Sequence, residues 1–249
     1  MSTRDVKILE TIPVNKIKYC IIGVPDVGLV GAIAAGYIIR SQKMTEIGHL
    51  ESDIFPPVIV VHDGDLKSPF RIYKKDDLAI IISEIPLDPR VLPQTSRSII
   101  DWVESKNVEL LVTITGIGVQ NRMEIEVPAV FGVGNTSSVK ELFAKGEVKP
   151  FEEGFMAGFH ALIARESGKK GIPNLVLLAQ SHFQYPDPAA AVSIIDVLKK
   201  LLGLDVDTKE LLNEAEEIRL KTRELMHRTS QSMEGMGKGQ EQEIPMMYV

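Results

Sequence analysis

The sequence predicts an α/β fold in three layers, with helices covering both faces of a mostly parallel or mixed sheet. Short runs of β-branched residues alternate with helical patterns over residues 1–204, which is typical of strands connected through helices. Several runs are apolar at successive positions rather than at alternate ones, which indicates strands that are buried on both faces. We therefore expect one α/β core domain, 1–204, without internal repeats.

The strands and helices of this domain follow each other in order. Strand-like runs lie at 19–24, 58–62, 78–85, 110–114, 129–133 and 174–180. Helical patterns lie at 27–41, 93–106, 139–143, 154–167 and 189–202. Most strand-like runs are thus followed by a helical pattern, as parallel strands joined by crossover helices require.

Residues 205–228 predict a separate C-terminal helix. Asp207 can cap its N-terminus, and Glu210, three residues later, completes a capping box. Apolar or small residues then recur at spacings of 4, 3, 4 and 3 and form a narrow seam flanked by charged residues. The seam consists of Leu211, Ala215, Ile218, Thr222 and Leu225. Two interpretations are open: the helix packs along its own domain, or it contacts another subunit of an oligomer.

Residues 229–249 predict a flexible tail, because they are rich in Ser, Gln, Gly, Met and Glu and lack helical or strand periodicity. Its last three residues, Met247, Tyr248 and Val249, place a phenol beside the α-carboxylate. Such a tip suits a pocket with an apolar wall, a hydrogen-bond partner for the hydroxyl and a cation for the carboxylate. As a coil, the 18 residues 229–246 would reach about 23 Å.

Composition and charge argue against several classes of protein. The chain of 249 residues has a net charge of −6 and no run of lysine or arginine, so we expect no nucleic-acid partner. No stretch reaches the roughly 18 uninterrupted apolar residues of a membrane span. No apolar segment follows the N-terminus directly, as it would in a signal peptide. We expect a soluble cytoplasmic protein that has no membrane partner.

Three glycines, Gly23, Gly28 and Gly31, lie between the first long strand and the first helix, where a phosphate-binding loop would be. Their spacing is not that of a dinucleotide fingerprint, and no Gly-Lys-Ser/Thr follows. A helix N-terminus can attract an anion. We instead interpret these glycines as residues that allow a tight turn and close packing of the helix on the sheet.

No motif predicts catalysis, a metal or a cofactor. The five histidines lack metal-ligand spacing, and no nucleophile elbow occurs. They are His49, His62, His160, His182 and His227. The single cysteine, Cys20, excludes an internal disulfide and lies in the apolar run 19–24, so we interpret it as a buried strand thiol. We expect a protein that is not an enzyme.

Several blocks of sequence, taken together in their order and spacing over residues 8–220, resemble the proteasome assembly chaperone family, particularly its archaeal members. One block is the glycine-rich segment 23–37, which is similar to the family's Gly-x-Pro-x-x-Gly-x-Val-Gly-x-x-Ala-Ala pattern. Others are Phe55-Pro56-Pro57, the region 84–118 and the segment 185–191, which reads Tyr-Pro-Asp-Pro-Ala-Ala-Ala.

The resemblance implies a phosphorylase/hydrolase-like α/β core without a demonstrated catalytic site. It also implies binding to proteasome α-subunits, which eukaryotic members hold during ring assembly. Members can end in a hydrophobic–Tyr–X motif, which corresponds here to Met247, Tyr248 and Val249. Such a tip inserts between neighbouring α-subunits, and its carboxylate pairs with a lysine. Because the chain has no Walker A motif, any proteasome activation would be independent of ATP.

Single tips bind weakly, so this interpretation predicts a homo-oligomer that presents several tails to the proteasome core particle. Two alternatives are open. In the first, the chain is a homo-oligomeric scaffold whose tail packs on its own core and does not engage the proteasome. In the second, it is a nucleoside-processing hydrolase or phosphorylase, which fold analogy alone suggests.

Overall fold

A computed structural model describes residues 6–234 and Met236, and it confirms the predicted three-layer α/β class. The strands are β1 (Lys7–Glu10), β2 (Tyr19–Gly23), β3 (Thr45–Glu51), β4 (Val60–His62), β5 (Asp65–Lys67), β6 (Phe70–Lys75), β7 (Leu78–Ser83), β8 (Leu110–Gly118), β9 (Val130–Gly134), β10 (Lys149–Pro150) and β11 (Asn174–Ser181). The helices are α1 (Val30–Ser41), α2 (Leu92–Ser105), α3 (Ser137–Gly146), α4 (Gly158–Lys169), α5 (Pro188–Leu202), α6 (Lys209–Asn213) and α7 (Ala215–Glu234).

Nine of these strands form one mixed sheet in the order β1-β3-β6-β7-β2-β8-β11-β9-β10. The four central strands, β7, β2, β8 and β11, are parallel. The strands β1, β3 and β6 add an antiparallel flank next to β7, and β9 pairs antiparallel with β11. The remaining two strands, β4 and β5, form a separate hairpin. The sheet is therefore parallel at its centre and antiparallel towards both sides.

Side chains of the central strands alternate between two apolar layers. In β2, Ile21 packs into the cluster that contains α1, α5 and α7, whereas Cys20 and Ile22 pack into the cluster that contains α2 and α4. All three are fully buried. Because both faces of β2 are covered, its sequence is apolar at successive positions, as expected for a central parallel strand.

The C-terminal segment differs from the predicted boundaries. The predicted single helix is two helices, α6 and α7, separated at Glu214. Asp207 does accept a hydrogen bond from the Lys209 amide, at 2.9 Å, but Thr208 occupies the N-cap position. The second helix continues to Glu234, six residues beyond the predicted end at 228. The predicted 18-residue arm is therefore too long, because its first residues are helical.

The predicted seam faces the core of its own chain. Leu211 is fully buried, and Ile218 and Leu225 pack against the apolar cluster that α1 and α5 form. Further along α7, Thr229 and Met233 are buried as well. The seam therefore packs along its own domain in the described residues, and contact of this helix with another subunit stays a prediction. Within the same part of the chain, no helix is both long enough and apolar enough to cross a lipid bilayer.

Candidate functional site

The carboxyl edge of the sheet, where the parallel strands β7, β2, β8 and β11 end, is the place where a ligand crevice is expected. Helix α1 leaves β2 on one face of the sheet, and α2 leaves β7 on the other. Neighbouring strands whose helices go to opposite faces form a topological switch point, and open α/β sheets bind ligands there.

The end of α7 closes this crevice. The chain after β2 contributes Pro25 and the chain after β7 contributes Pro86, while Thr229, Ser232 and Met236 cover them. The remaining cavity has a volume of about 10 Å³. That volume holds about one water molecule. The crevice between β2 and β7 therefore has no room for a substrate in this conformation.

A hydrogen bond from Ser232 and the packing of Met236 hold the end of α7 in place. The Ser232 hydroxyl donates to the Leu87 carbonyl at 2.7 Å. Met236 packs against the apolar clusters of both sheet faces, so the chain passes over the carboxyl edge at this residue. Met236, the last described residue, thus lies at the carboxyl edge.

A buried polar cluster lies beneath this cover. Asp26 Oδ2 accepts a hydrogen bond from the Thr115 hydroxyl at 2.9 Å, and it lies 3.0 Å from His160 Nε2. All three residues are buried. Asp26 follows β2, Thr115 lies on β8 and His160 lies in the first turn of α4, so the cluster joins three elements of the fold. Since the adjoining cavity holds about one water, the geometry supports a structural role for this cluster.

The glycine-rich turn between β2 and α1 is a packing element, as the sequence predicts. Every residue in the range 21–31 is buried. Gly28 has φ 61°, and a Cβ there would lie 1.9 Å from the Ser181 hydroxyl oxygen. A Cβ at Gly31 would lie 2.5 Å from the Ile114 carbonyl oxygen. Because the start of α1 is buried against backbone, this turn does not present its amides to an anion.

A buried ion pair ties the segment 185–191 to the loop after β8. The Asp187 carboxylate accepts hydrogen bonds from Arg122 Nε at 2.7 Å and Nη2 at 2.9 Å. It also accepts from the amides of His182 and Ala190, at 3.1 and 3.0 Å, and so caps α5. The Asp187 amide donates to the Gly28 carbonyl at 2.9 Å. The two family-like blocks, around Gly28 and Asp187, thus bind each other directly.

The hairpin of β4 and β5 is attached to the sheet by polar contacts. His62 Nε2 lies 2.8 Å from Glu84 Oε2 and 3.0 Å from Arg71 Nη2, and Arg71 also pairs with Glu84. Partial burial, together with the Arg71 charge, lowers the pKa of His62. Below these groups lies an open groove of about 840 Å³ between α1, α7 and the hairpin.

The residues predicted to contact a partner, Met247, Tyr248 and Val249, lie outside the described residues. What the structure does place is the start of their tether, Met236. In the part of the chain that is described, no three His, Cys, Asp or Glu side chains are grouped to hold a metal ion. Cys20 is fully buried, as predicted, and burial raises the pKa of its thiol to about 12.

Comparison with known proteins identifies the family. Residues 20–226 match the PAC2 family, and this range covers most of the chain. The chain belongs to the PAC2 family. It is 30% identical over 222 residues to the uncharacterized protein MJ0106 of Methanocaldococcus jannaschii, covering 89% of each chain.

Two solved structures are similar to this PAC2 chain. One is Pyrococcus furiosus PbaA, described as an archaeal homolog of proteasome-assembly chaperone, with 28% identity, a TM-score of 0.86 and coverage of 92% of this chain and 99% of PbaA. The other is Pyrococcus furiosus PbaB, described as an archaeal proteasome activator, with 22% identity, a TM-score of 0.74 and coverage of 90% and 99%. At 22% identity, the similarity to PbaB shows that the two proteins share a fold and no more than that. The predicted family resemblance is confirmed.

Sequence reasoning missed the buried contacts of this PAC2 chain. Asp26 and His160 are 134 positions apart, and Arg122 and Asp187 are 65 apart. No local pattern marks such pairs. One signal was present: Asp187 stands directly before Pro188, and Asp followed by Pro is typical of a helix N-cap and first turn.

Proposed function

We propose that this PAC2 chain is a proteasome assembly chaperone-like protein that binds α-subunits of the core particle through Met247, Tyr248 and Val249. The observation that supports it most is a hydrophobic–Tyr–X end on a chain of this family. The likeness to PbaA, a homolog of a proteasome-assembly chaperone, supports the same partner. The likeness to PbaB shows that an activator can have this fold.

The chemistry of the tip defines the pocket it needs. The phenol ring of Tyr248 buries its apolar body while its hydroxyl finds a hydrogen-bond partner. The free α-carboxylate of Val249 pairs with a cation, for which a lysine between neighbouring α-subunits is suited. Met247 adds an adaptable apolar contact on the other side of the ring.

One such tip does not hold two large proteins together. A buried aromatic side chain contributes about 2–3 kcal/mol and a surface ion pair about 0–1 kcal/mol. Their sum of about 4 kcal/mol corresponds to binding in the millimolar range. When one oligomer presents several tips, each later insertion is intramolecular, and the overall affinity rises by about 10²–10⁴. Tight binding through these tips therefore requires a homo-oligomer.

The tether is shorter than the sequence predicts. Ten residues, 237–246, connect Met236 to the terminal triplet. A coil of that length spans about 17 Å. The sequence contains no Walker A motif, so the proposed activation uses no ATP.

The experiment is a comparison of Tyr248→Ala with Gln242→Ala, a change in the same segment but outside the terminal triplet. Binding to purified core particle and stimulation of its peptidase activity are measured for each. Tyr248→Ala is expected to abolish both, whereas Gln242→Ala leaves both unchanged, and both variants keep the oligomer. If Tyr248→Ala binds the core particle as tightly as the wild type does, the proposal is wrong.

A second candidate function is a homo-oligomeric scaffold whose tail packs on its own core. The observation that favours it is the position of α7, which already buries Thr229 and Met233 against the core and bonds Ser232 to Leu87. Limited proteolysis distinguishes the two functions. Cleavage within 237–249 at a low protease concentration supports a tail available for docking, and resistance of the same segment supports the scaffold.

A further inference from the structure

The connections at the carboxyl edge of the sheet expose four large apolar side chains. Met123 and Val127, in the loop between β8 and β9, are 87% and 77% exposed. These are the two highest values among the large hydrophobic residues of the described chain. Tyr185, after β11, and Phe155, in the connection that enters α4, are 68% and 66% exposed. We call these four residues and the loops that contain them, 119–129, 151–157 and 182–187, the carboxyl rim.

The loop 119–129 is held at both ends and in its middle. The Val119 amide donates to the Ser181 carbonyl at 3.1 Å, and the Gln180 amide donates to the Ala129 carbonyl at 2.9 Å. Between them, Arg122 donates to the Ile125 carbonyl at 2.6 Å and pairs with buried Asp187. Met123 and Val127 are thus exposed on a loop whose backbone is fixed, so docking would cost little conformational entropy.

The exposed charge of the rim is negative. Glu124 and Glu126 lie beside Met123 and Val127, and Glu152 and Glu153 precede Phe155; all four carboxylates are exposed. The arginine of the same loop, Arg122, is buried and neutralised by Asp187. A complementary partner therefore has apolar hollows flanked by lysine or arginine.

We propose that the carboxyl rim is a second docking surface for the protein that the terminal tips bind, contacting apolar and basic residues on the face of its ring. This inference rests on the proposed function. Met236 and the rim lie at the same edge of the sheet, because Met236 packs beside Pro25 and Pro86, which follow the ends of β2 and β7. Ten residues separate Met236 from the triplet, so even a fully extended chain keeps Met236 within about 40 Å of the pocket that holds the tip.

A second copy of the chain fits this surface less well. A two-fold contact places the same patch of both copies face to face. Because the exposed carboxylates of the rim all carry negative charge, a rim packed against a second rim brings like charges together, and like charges at an interface oppose association. A partner of opposite charge removes that repulsion.

The test uses full-length protein and purified proteasome core particle at low and moderate salt. The double variant Met123→Gln/Val127→Thr removes apolar surface at nearly constant shape. The double variant Glu124→Gln/Glu126→Gln removes two charges. The control is Leu220→Gln, a change at a 73% exposed leucine on α7, outside the three rim loops. Thermal unfolding and size-exclusion chromatography establish that each variant folds and assembles.

The apolar double variant is expected to weaken binding about tenfold, since it exposes less apolar surface for burial. The charge variant is expected to reduce the salt dependence of binding and the association rate. Leu220→Gln is expected to bind as the wild type does. If both rim variants bind as the wild type while Tyr248→Ala does not bind, the rim proposal is wrong and the proposed function stands.

Two other outcomes also overturn the inference. If the wild type fails to bind the core particle, both the proposed function and the rim proposal are wrong. If either rim variant changes the size of the oligomer, the rim is a contact between copies of this chain instead of a surface for the ring.

Discussion

Arg122 and Asp187 form two hydrogen bonds inside the protein, Nε to Oδ2 at 2.7 Å and Nη2 to Oδ1 at 2.9 Å. Both side chains are buried. Two charges in such a place cost desolvation energy that their attraction and hydrogen bonds offset. This pair connects the loop after β8 to the start of α5, and so it fixes the loop that bears Met123.

Breaking this pair is expected to destabilise the protein strongly. Arg122→Leu leaves the Asp187 carboxylate buried without its cation, which costs about 3–5 kcal/mol. The midpoint of chemical unfolding measures the loss. The matched control is Arg90→Leu, because Arg90 pairs with Asp88 at the surface, and its midpoint is expected to stay near that of the wild type. If Arg122→Leu and Arg90→Leu lower the unfolding midpoint equally, the buried pair contributes no more to stability than the surface pair.

Two glycines of the same block are expected to respond in opposite directions. Gly28→Ala puts an alanine at φ 61° and places its Cβ against the Ser181 side chain. It should lower the free energy of unfolding by about 1–3 kcal/mol. Gly36 lies inside α1, and a Cβ there meets only Ile82 Cδ1, at 3.6 Å. Gly36→Ala should therefore stabilise the helix by about 0.5–1 kcal/mol. Thermal unfolding of both variants measures this, and a neutral Gly28→Ala would contradict the packing interpretation of the turn.

The Cys20 thiol is expected to be unreactive in the folded protein. It is fully buried in β2, and burial raises its pKa to about 12, so almost no thiolate exists at neutral pH. A maleimide or disulfide reagent should modify it slowly in the native state and rapidly in denaturant. Because it is the single cysteine of the chain, the reaction reports unfolding directly. Rapid native labelling would show that β2 is accessible.

Acid is expected to weaken the attachment of β1 to α2. Burial raises the pKa of Glu10, but hydrogen bonds from Lys106 and Trp102 outweigh it, and the net shift is downward from 4.5. The folded protein therefore binds fewer protons here than the unfolded chain. The ionised Glu10 carboxylate therefore stabilises the fold fully above pH 4.5. This stabilisation is lost as the pH falls through the pKa that Glu10 has in the folded protein, which is below 4.5.

Unfolding curves of Glu10→Gln and the wild type, measured from pH 7 to pH 3, check this expectation. The difference between them should shrink as the pH falls. Glu141→Gln, a change at an exposed carboxylate on α3, should follow the wild type throughout. A constant difference between Glu10→Gln and wild type across this range would contradict the assignment.

The central strands could be predicted from sequence because each is buried on both faces. The strand β8 is buried along nearly all of its nine residues and reads as an apolar run. The flanking strands β3 and β6 could not be predicted in this way. They mix buried with exposed positions, and their register shifts between Glu46 and Gly48. Their pairing depends on neighbours that a local pattern does not show.

The end of α7 shows why the tail boundary was wrong. The residues after Arg228 are polar and suggest an arm without structure. In the folded chain, the Thr229 hydroxyl donates to the Leu225 carbonyl at 2.7 Å, and the Ser230 hydroxyl donates to the Met226 carbonyl at 3.0 Å. These side chains bond within the helix, and burial of Met233 anchors its last turn. Tertiary packing therefore extends a helix that composition alone would end.

The central claim is that individually weak tips bind the proteasome core particle collectively. The most direct measurement compares the affinity of the isolated peptide 237–249 with that of the whole protein for the same core particle. The account predicts millimolar binding by the peptide and binding at least about 100-fold tighter by the whole protein, with removal of residues 247–249 abolishing both. Equal affinities of peptide and protein, or tight binding by the protein without its last three residues, would contradict it.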